Sequence, residues 1–164
     1  MKITRIRVIV HWEVNLLSVC AFFGHRDCPE TVKPALRDAI ERLITDYGVD
    51  TFYVGNQGQF DACVRGILRQ MQKMYPHIRY AVVLAYLPVR KDEYEDYSDT
   101  VYPEGMEDGP PKFAIARRNQ WLVNQADHII CYVRHSWGGA YQFSRLAKRR
   151  GKHVINICNT GIEL

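Results

Sequence analysis

The chain is poor in the short signatures that identify common enzyme classes. It has no Cys-x-x-Cys pair, no Walker loop, no Gly-x-Gly-x-x-Gly after its first strand pattern and no Gly-x-Ser-x-Gly elbow. These absences argue against thioredoxin-like redox chemistry, a P-loop NTPase, an ordinary dinucleotide dehydrogenase and an α/β-hydrolase. The six histidines show no His-Glu-x-x-His spacing and no pairing with cysteine, so neither a metal nor another cofactor is expected. Long apolar runs are also missing. The longest are strand-sized, too short for a membrane-spanning helix. The N-terminus has no signal-peptide core with a small-residue cleavage site, so a cytoplasmic protein is expected. Three of the five cysteines, Cys20, Cys63 and Cys131, fall in apolar patterns, which suits reduced, buried thiols.

Charge of one sign is in short supply as well. Lys and Arg total 22 against 18 Asp and Glu, a net +4. Arg145, Lys148, Arg149, Arg150 and Lys152 cluster late in the chain, and Asp92, Glu93, Glu95, Asp96 and Asp99 in its middle. Two solvated faces explain these runs better than a nucleic-acid surface, because neither is interleaved with a clear stacking platform.

What is present is alternation. With 164 residues, 47% of them hydrophobic, one domain with a real core is expected. Residues 16–23 and 80–87 are nearly all apolar, as in strands covered on both faces. Shorter strand patterns cover 51–54, 128–133 and 153–157. Between them, helical spacing joins Val32, Leu36, Ile40, Leu43 and Ile44, with Gly48 as a C-terminal cap. Asp61 is read as capping a helix that carries Val64, Ile67, Leu68 and Met71. Helices are also expected over 112–124 and 140–150, and the stretch 88–111 reads as a long loop of the kind that forms lids. An extra N-terminal strand over 3–14 carries a one-sided stripe of Ile6, Val8, Val10, Trp12 and Val14. That stripe would either pack within the chain or support a homo-oligomer.

This order predicts an α/β protein, a Rossmann-like three-layer fold with a mostly parallel sheet. Ligands of such sheets bind beyond the carboxyl ends of the strands. Unusual residues stand there: Gly24-His25-Arg26, Gly55-Asn56-Gln57-Gly58, and Ser136-Trp137-Gly138-Gly139-Ala140. Gly138 and Gly139 at a helix start suit an anion. Arg26 offers a planar fork for phosphate. Gly55, Asn56 and Gly58 allow ribose or base to approach. Arg118 and Asn119 lie on the helix before the fourth strand pattern, where a solvated arginine is the plain alternative.

The segments FFGHR, YVGNQGQFD, TVYPEGME, FAIARRNQWLV, ADHIICYV and SWGGAYQFSRLAKRRGKHVINI together resemble the YpsA-type branch of the SLOG superfamily. That Rossmann-like group includes the LOG ("lonely guy") phosphoribohydrolases and DNA processing protein A. The resemblance spans residues 16–157. It implies a nucleotide or nucleotide-derived small molecule held across the glycine loops, in a sensor or regulator. The LOG Arg-Lys pair falls on Arg118 and Asn119, so only the arginine is kept. The LOG loop Pro-Gly-Gly-x-Gly-Thr-x-x-Glu falls on residues 137–145. Gly138 and Gly139 are kept, Tyr141-Gln142 replaces Gly-Thr, and Arg145 stands where the catalytic Glu would be. A phosphoribohydrolase using Arg118 and Glu104 is one alternative. Single-stranded DNA binding through the basic C-terminal helix, by analogy with DNA processing protein A, is another.

Overall fold

The computed structural model describes residues 6–7, 17–87, 99–159 and 161–164. Among these, seven strands form one sheet: β1 (Ile6–Arg7), β2 (Val19–Gly24), β3 (Thr51–Val54), β4 (Arg79–Val83), β5 (Thr100–Val101), β6 (His128–Tyr132) and β7 (His153–Asn156). All of their pairings are parallel, in the order β1-β5-β4-β3-β2-β6-β7. Four α-helices connect them: α1 (Lys33–Tyr47), α2 (Gly58–Met74), α3 (Ala114–Gln125) and α4 (Gly139–Arg149).

The strands show why the sheet is covered twice. In β2, Cys20 and Phe22 join the core beneath α1 and α2, while Val19, Ala21 and Phe23 join the core beneath α3 and α4. β6 divides the same way, with Ile130 and Tyr132 on one side and Ile129 and Cys131 on the other. Period-two alternation between two apolar layers produces the continuous hydrophobic runs seen in the sequence. Each helix contributes one apolar face, such as Leu36, Ile40 and Leu43 of α1. Gly48 ends α1 at φ 67°, a left-handed cap that glycine adopts without strain.

The order of the strands positions the site. From β2 the chain moves outward through β3, β4 and β5, then returns to place β6 and β7 on β2's other side. The reversal lies between β2 and β6, the place where sheets of this kind bind their ligands.

Several expectations need correction. α2 starts at Gly58, one turn before the cap expected at Asp61. The Asp61 carboxylate instead reaches back and accepts the Gln57 N–H at 2.9 Å. A helical turn over Glu30–Val32 is 3-10, and α1 proper begins at Lys33. The long 88–111 segment is not wholly a loop. Thr100 and Val101 are buried as β5, and Met106 packs with Ala85 and Ala114. Arg117 of α3 holds that segment by donating to the carbonyls of Met106, Gly109 and Pro110. Residues 88–98, with most of the acidic run, lie outside the described residues, as do 1–5 and 8–16. Of the N-terminal strand only Ile6 and Arg7 are described, and they pair with β5 of the same chain.

Candidate functional site

Three strand ends converge at the reversal point. His25 follows β2 and is 9% exposed. Its backbone N–H donates to the Tyr132 carbonyl at 3.3 Å, and its Nε2 accepts the Arg134 N–H at 3.1 Å. His25 therefore ties the loop after β2 to the loop after β6. Burial, followed by the neighbouring His135 and Arg134, pushes its pKa down to about 4, so the ring is neutral at physiological pH. An Arg134–Asp27 ion pair at 2.8 Å adds a second, solvent-facing tie.

Arg118 lies buried beneath the switch-point crevice expected of such a sheet, and it is no solvated surface arginine. It is 5% exposed, and Asn119 beside it is 6% exposed. Arg118 Nε and Nη2 donate to Asn119 Oδ1 at 3.2 and 2.9 Å. Nη1 is buried without a hydrogen-bond partner. A buried cationic donor left unpaired is uncommon, because a desolvated charge is costly unless something neutralises it. Burial lowers the Arg118 pKa, and Asp61 opposes that shift. Asp61 is itself 6% exposed, with its pKa raised by burial against the pull of Arg118. The two groups form no direct ion pair, but they flank one point. A Cβ placed on Gly55 would lie 2.5 Å from Asp61 Oδ2 and 2.7 Å from Arg118 Nη1. Glycine is required at 55 to admit both side chains.

The remaining glycines serve different purposes. A Cβ on Gly24 would fall 2.1 Å from the Phe60 ring, so Gly24 admits α2 rather than opening space for a ligand. Gly58 takes φ 85° and lies against the Arg26 backbone, whose carbonyl accepts the Gln59 N–H. Gly138 takes φ 87° with open space around it. Gly139 has neither constraint, since the nearest atom to an added Cβ would be Asn119 Nδ2 at 4.0 Å. Its bare backbone opens α4 with no packing reason for lacking a side chain, and it faces the amide of Asn119. The Arg118–Asn119 pair thus lies between the two glycine loops, one member toward Gly55 and the other toward Gly139.

Arg26 is exposed at the rim, and its charge acts on both Asp61 and Arg118. Asn56 is half-buried and accepts from Gln57 Nε2 at 3.3 Å. Ser136 and Trp137 are exposed, and Ala140 is half-buried. Glu104 is exposed on the turn after β5 and makes no hydrogen bond or ion pair with Arg118 or Asn119. Arg145 lies over the Tyr141 ring and donates to its hydroxyl at 3.2 Å, an arrangement on the outer surface of α4. Lys148, Arg149 and the C-cap Arg150 stand at the far end of α4, about 15 Å along the helix from Gly139. The basic cluster and the crevice are therefore separate places. Cys28 is buried, and desolvation pushes its thiol up to about 12, which removes it as a nucleophile.

Sequence reasoning missed three contributors. Asp61 was read only as a cap. Arg65 of α2 donates to the Gly55 carbonyl at 3.1 Å and so fixes that loop. His135 stacks between His25 and Trp137, with ring centroids 3.7 Å apart on each side. A groove of about 630 Å³ also lies between α1 and α2, lined by residues including Lys33, Arg37, Cys63 and Gln70. It is distinct from the crevice. Four of its polar side chains already pair, Arg37 with Gln70 and Lys33 with Glu30.

No protein-family model matches the chain, and no curated protein matches it. Solved structures do. DNA processing protein A from Streptococcus pneumoniae aligns with a TM-score of 0.62 at 16% identity, over 84% of this chain and 49% of that one. DNA processing protein A from Helicobacter pylori, in a structure described for its unique single-stranded DNA binding mode, aligns with a TM-score of 0.59 at 15% identity, over 84% of this chain and 63% of that one. The chain spans about half the length of the first and less than two thirds of the second. At such identities the likeness is one of fold: the chain has the Rossmann-like three-layer architecture found in DNA processing protein A.

Proposed function

We propose that the chain binds a phosphate-bearing nucleotide ligand in the crevice bounded by Gly55, Arg118, Asn119 and Gly139. The observation that carries this reading is the buried, unpaired Nη1 of Arg118 beside Gly55. A phosphate oxygen would satisfy that donor and offset the desolvated charge. The N-terminus of α4 opens at the other side of the same residue pair and adds oriented backbone N–H groups. This agrees with the YpsA-type SLOG resemblance, in a binding or regulatory role.

The nucleotide could be free or part of a strand, and the likeness to the Helicobacter pylori protein favours a single strand of DNA. On that reading the crevice takes one nucleotide of the strand, and the distant basic end of α4 is a separate electrostatic surface. The phosphoribohydrolase reading has less support. Arg145 occupies the position of the catalytic Glu, and Glu104 is turned to solvent. Asp61 is the carboxylate near Arg118, and its Oδ2 is already bonded to Gln57.

Fluorescence anisotropy with labelled single- and double-stranded oligonucleotides, alongside thermal shifts with free nucleotides, tests the proposal. Saturable binding of a single strand or a free nucleotide, weakened by salt as phosphate contacts require, is expected. Binding of none of these ligands contradicts it.

A further inference from the structure

The loop after β6 builds a ladder of rings. His25 is buried at its inner end, His135 stacks on it at 3.7 Å and 21°, and Trp137 stacks on His135 at 3.7 Å and 12°. The His135 Nδ1–H donates to the Trp137 carbonyl at 3.1 Å, which holds the turn that brings the two rings face to face. One indole face is covered by His135, yet Trp137 is 69% exposed. Its other face is therefore open. A ring stacked on one face and open on the other offers a ready surface for a further ring. The chemistry of a partner is set by the stack itself, since a flat π-face extends with another flat aromatic ring. The location narrows it further. Trp137 is two residues from Gly139, so their Cα atoms lie within about 7.6 Å. That places the indole beside the start of α4, where the phosphate is proposed to bind.

We propose that Trp137, backed by His135 and His25, is the stacking platform for the base of the bound nucleotide. This rests on the nucleotide-binding reading above and adds the base contact to it. Stacking accepts any base, so the platform confers affinity for a base without choosing its identity. A base offered by a free nucleotide and one offered by a single strand would use the same indole face.

Two pairs of probes test this. One pair is a short oligodeoxyadenylate and an abasic oligomer of equal length. The other is adenosine diphosphate and inorganic pyrophosphate. The base-bearing member of at least one pair should bind wild type about ten- to a hundredfold more tightly than its base-free partner. It should also quench indole emission. The pair that shows the preference identifies the source of the base. Trp137→Ala should reduce the preference to near unity while leaving base-free binding unchanged, and Trp137→Phe should keep most of it. A preference that survives Trp137→Ala overturns the platform and leaves the phosphate reading standing. Equal binding of base-bearing and base-free probes by wild type does the same. If neither pair binds at all, both readings fail.

Discussion

Gly55 and Gly139 both sit at strand-to-helix junctions, and they differ in what an added methyl would meet. At Gly55 it would strike Asp61 and Arg118, so Gly55→Ala should lower stability by about 1–3 kcal/mol and disturb both side chains. At Gly139 it would meet only Asn119 Nδ2 at an ordinary 4.0 Å. Gly139→Ala should therefore melt at or slightly above the wild-type temperature, because alanine favours a helix, yet bind ligand more weakly. Calorimetry with a single strand or nucleotide measures both effects, and unchanged affinity would remove the start of α4 from the site. His25 gives a pH prediction. Its folded pKa of about 4 lies below the ordinary value of 6.5. Between those values the unfolded chain holds a proton that the folded chain lacks, so stability falls as pH drops from about 6.5 to about 4 and then levels off. His25→Gln keeps an acceptor for the Arg134 N–H, and urea denaturation of the variant should show a flatter profile across that window. A profile matching wild type would mean that His25 is not held neutral. The glycine pair, the Arg and the strand-end loops were legible in the sequence. The burial of Arg118 was not, because an arginine beside an arginine on a helix looks the same whether it faces water or core. Nor was the ring ladder, whose members come from loops about 110 residues apart in sequence and meet only through the pairing of β2 with β6.

Among the elements, those long enough to show a period were readable. β2, β4 and β6 have apolar runs, and the helices repeat at 3.6 residues. β5 was not readable, since Thr100–Val101 is two residues long and is held by its neighbours rather than by its own pattern. The start of α2 was misplaced because Asp61 is a good capping residue, yet its side chain reaches back to Gln57 from inside the first turn. The packing of α2 on β2 gives an element-scale prediction. Phe60 fills the space left by Gly24, so Gly24→Ala should push α2 off the sheet and destabilise by about 1–3 kcal/mol or more. Denaturant unfolding checks this, and Gly24→Ala combined with Phe60→Leu should recover part of the loss. A wild-type melting temperature for Gly24→Ala alone would contradict the packing role.

For the whole molecule, strand order turns scattered residues into one site. The reversal between β2 and β6 brings together loops from three strands, and α3 places Arg118 and Asn119 beneath them. Nothing in the strand order brings the basic end of α4 to the same place. The site therefore turns on one side chain, the buried Arg118 whose Nη1 has no hydrogen-bond partner. Isothermal titration of wild type and Arg118→Gln with the best ligand, each shown by circular dichroism to be folded, tests it most directly. A phosphate bonded to that guanidinium predicts a loss of affinity of about ten- to a hundredfold, since charge-assisted hydrogen bonds contribute roughly 1.5–3 kcal/mol. Equal affinity in the two folded proteins would contradict the account.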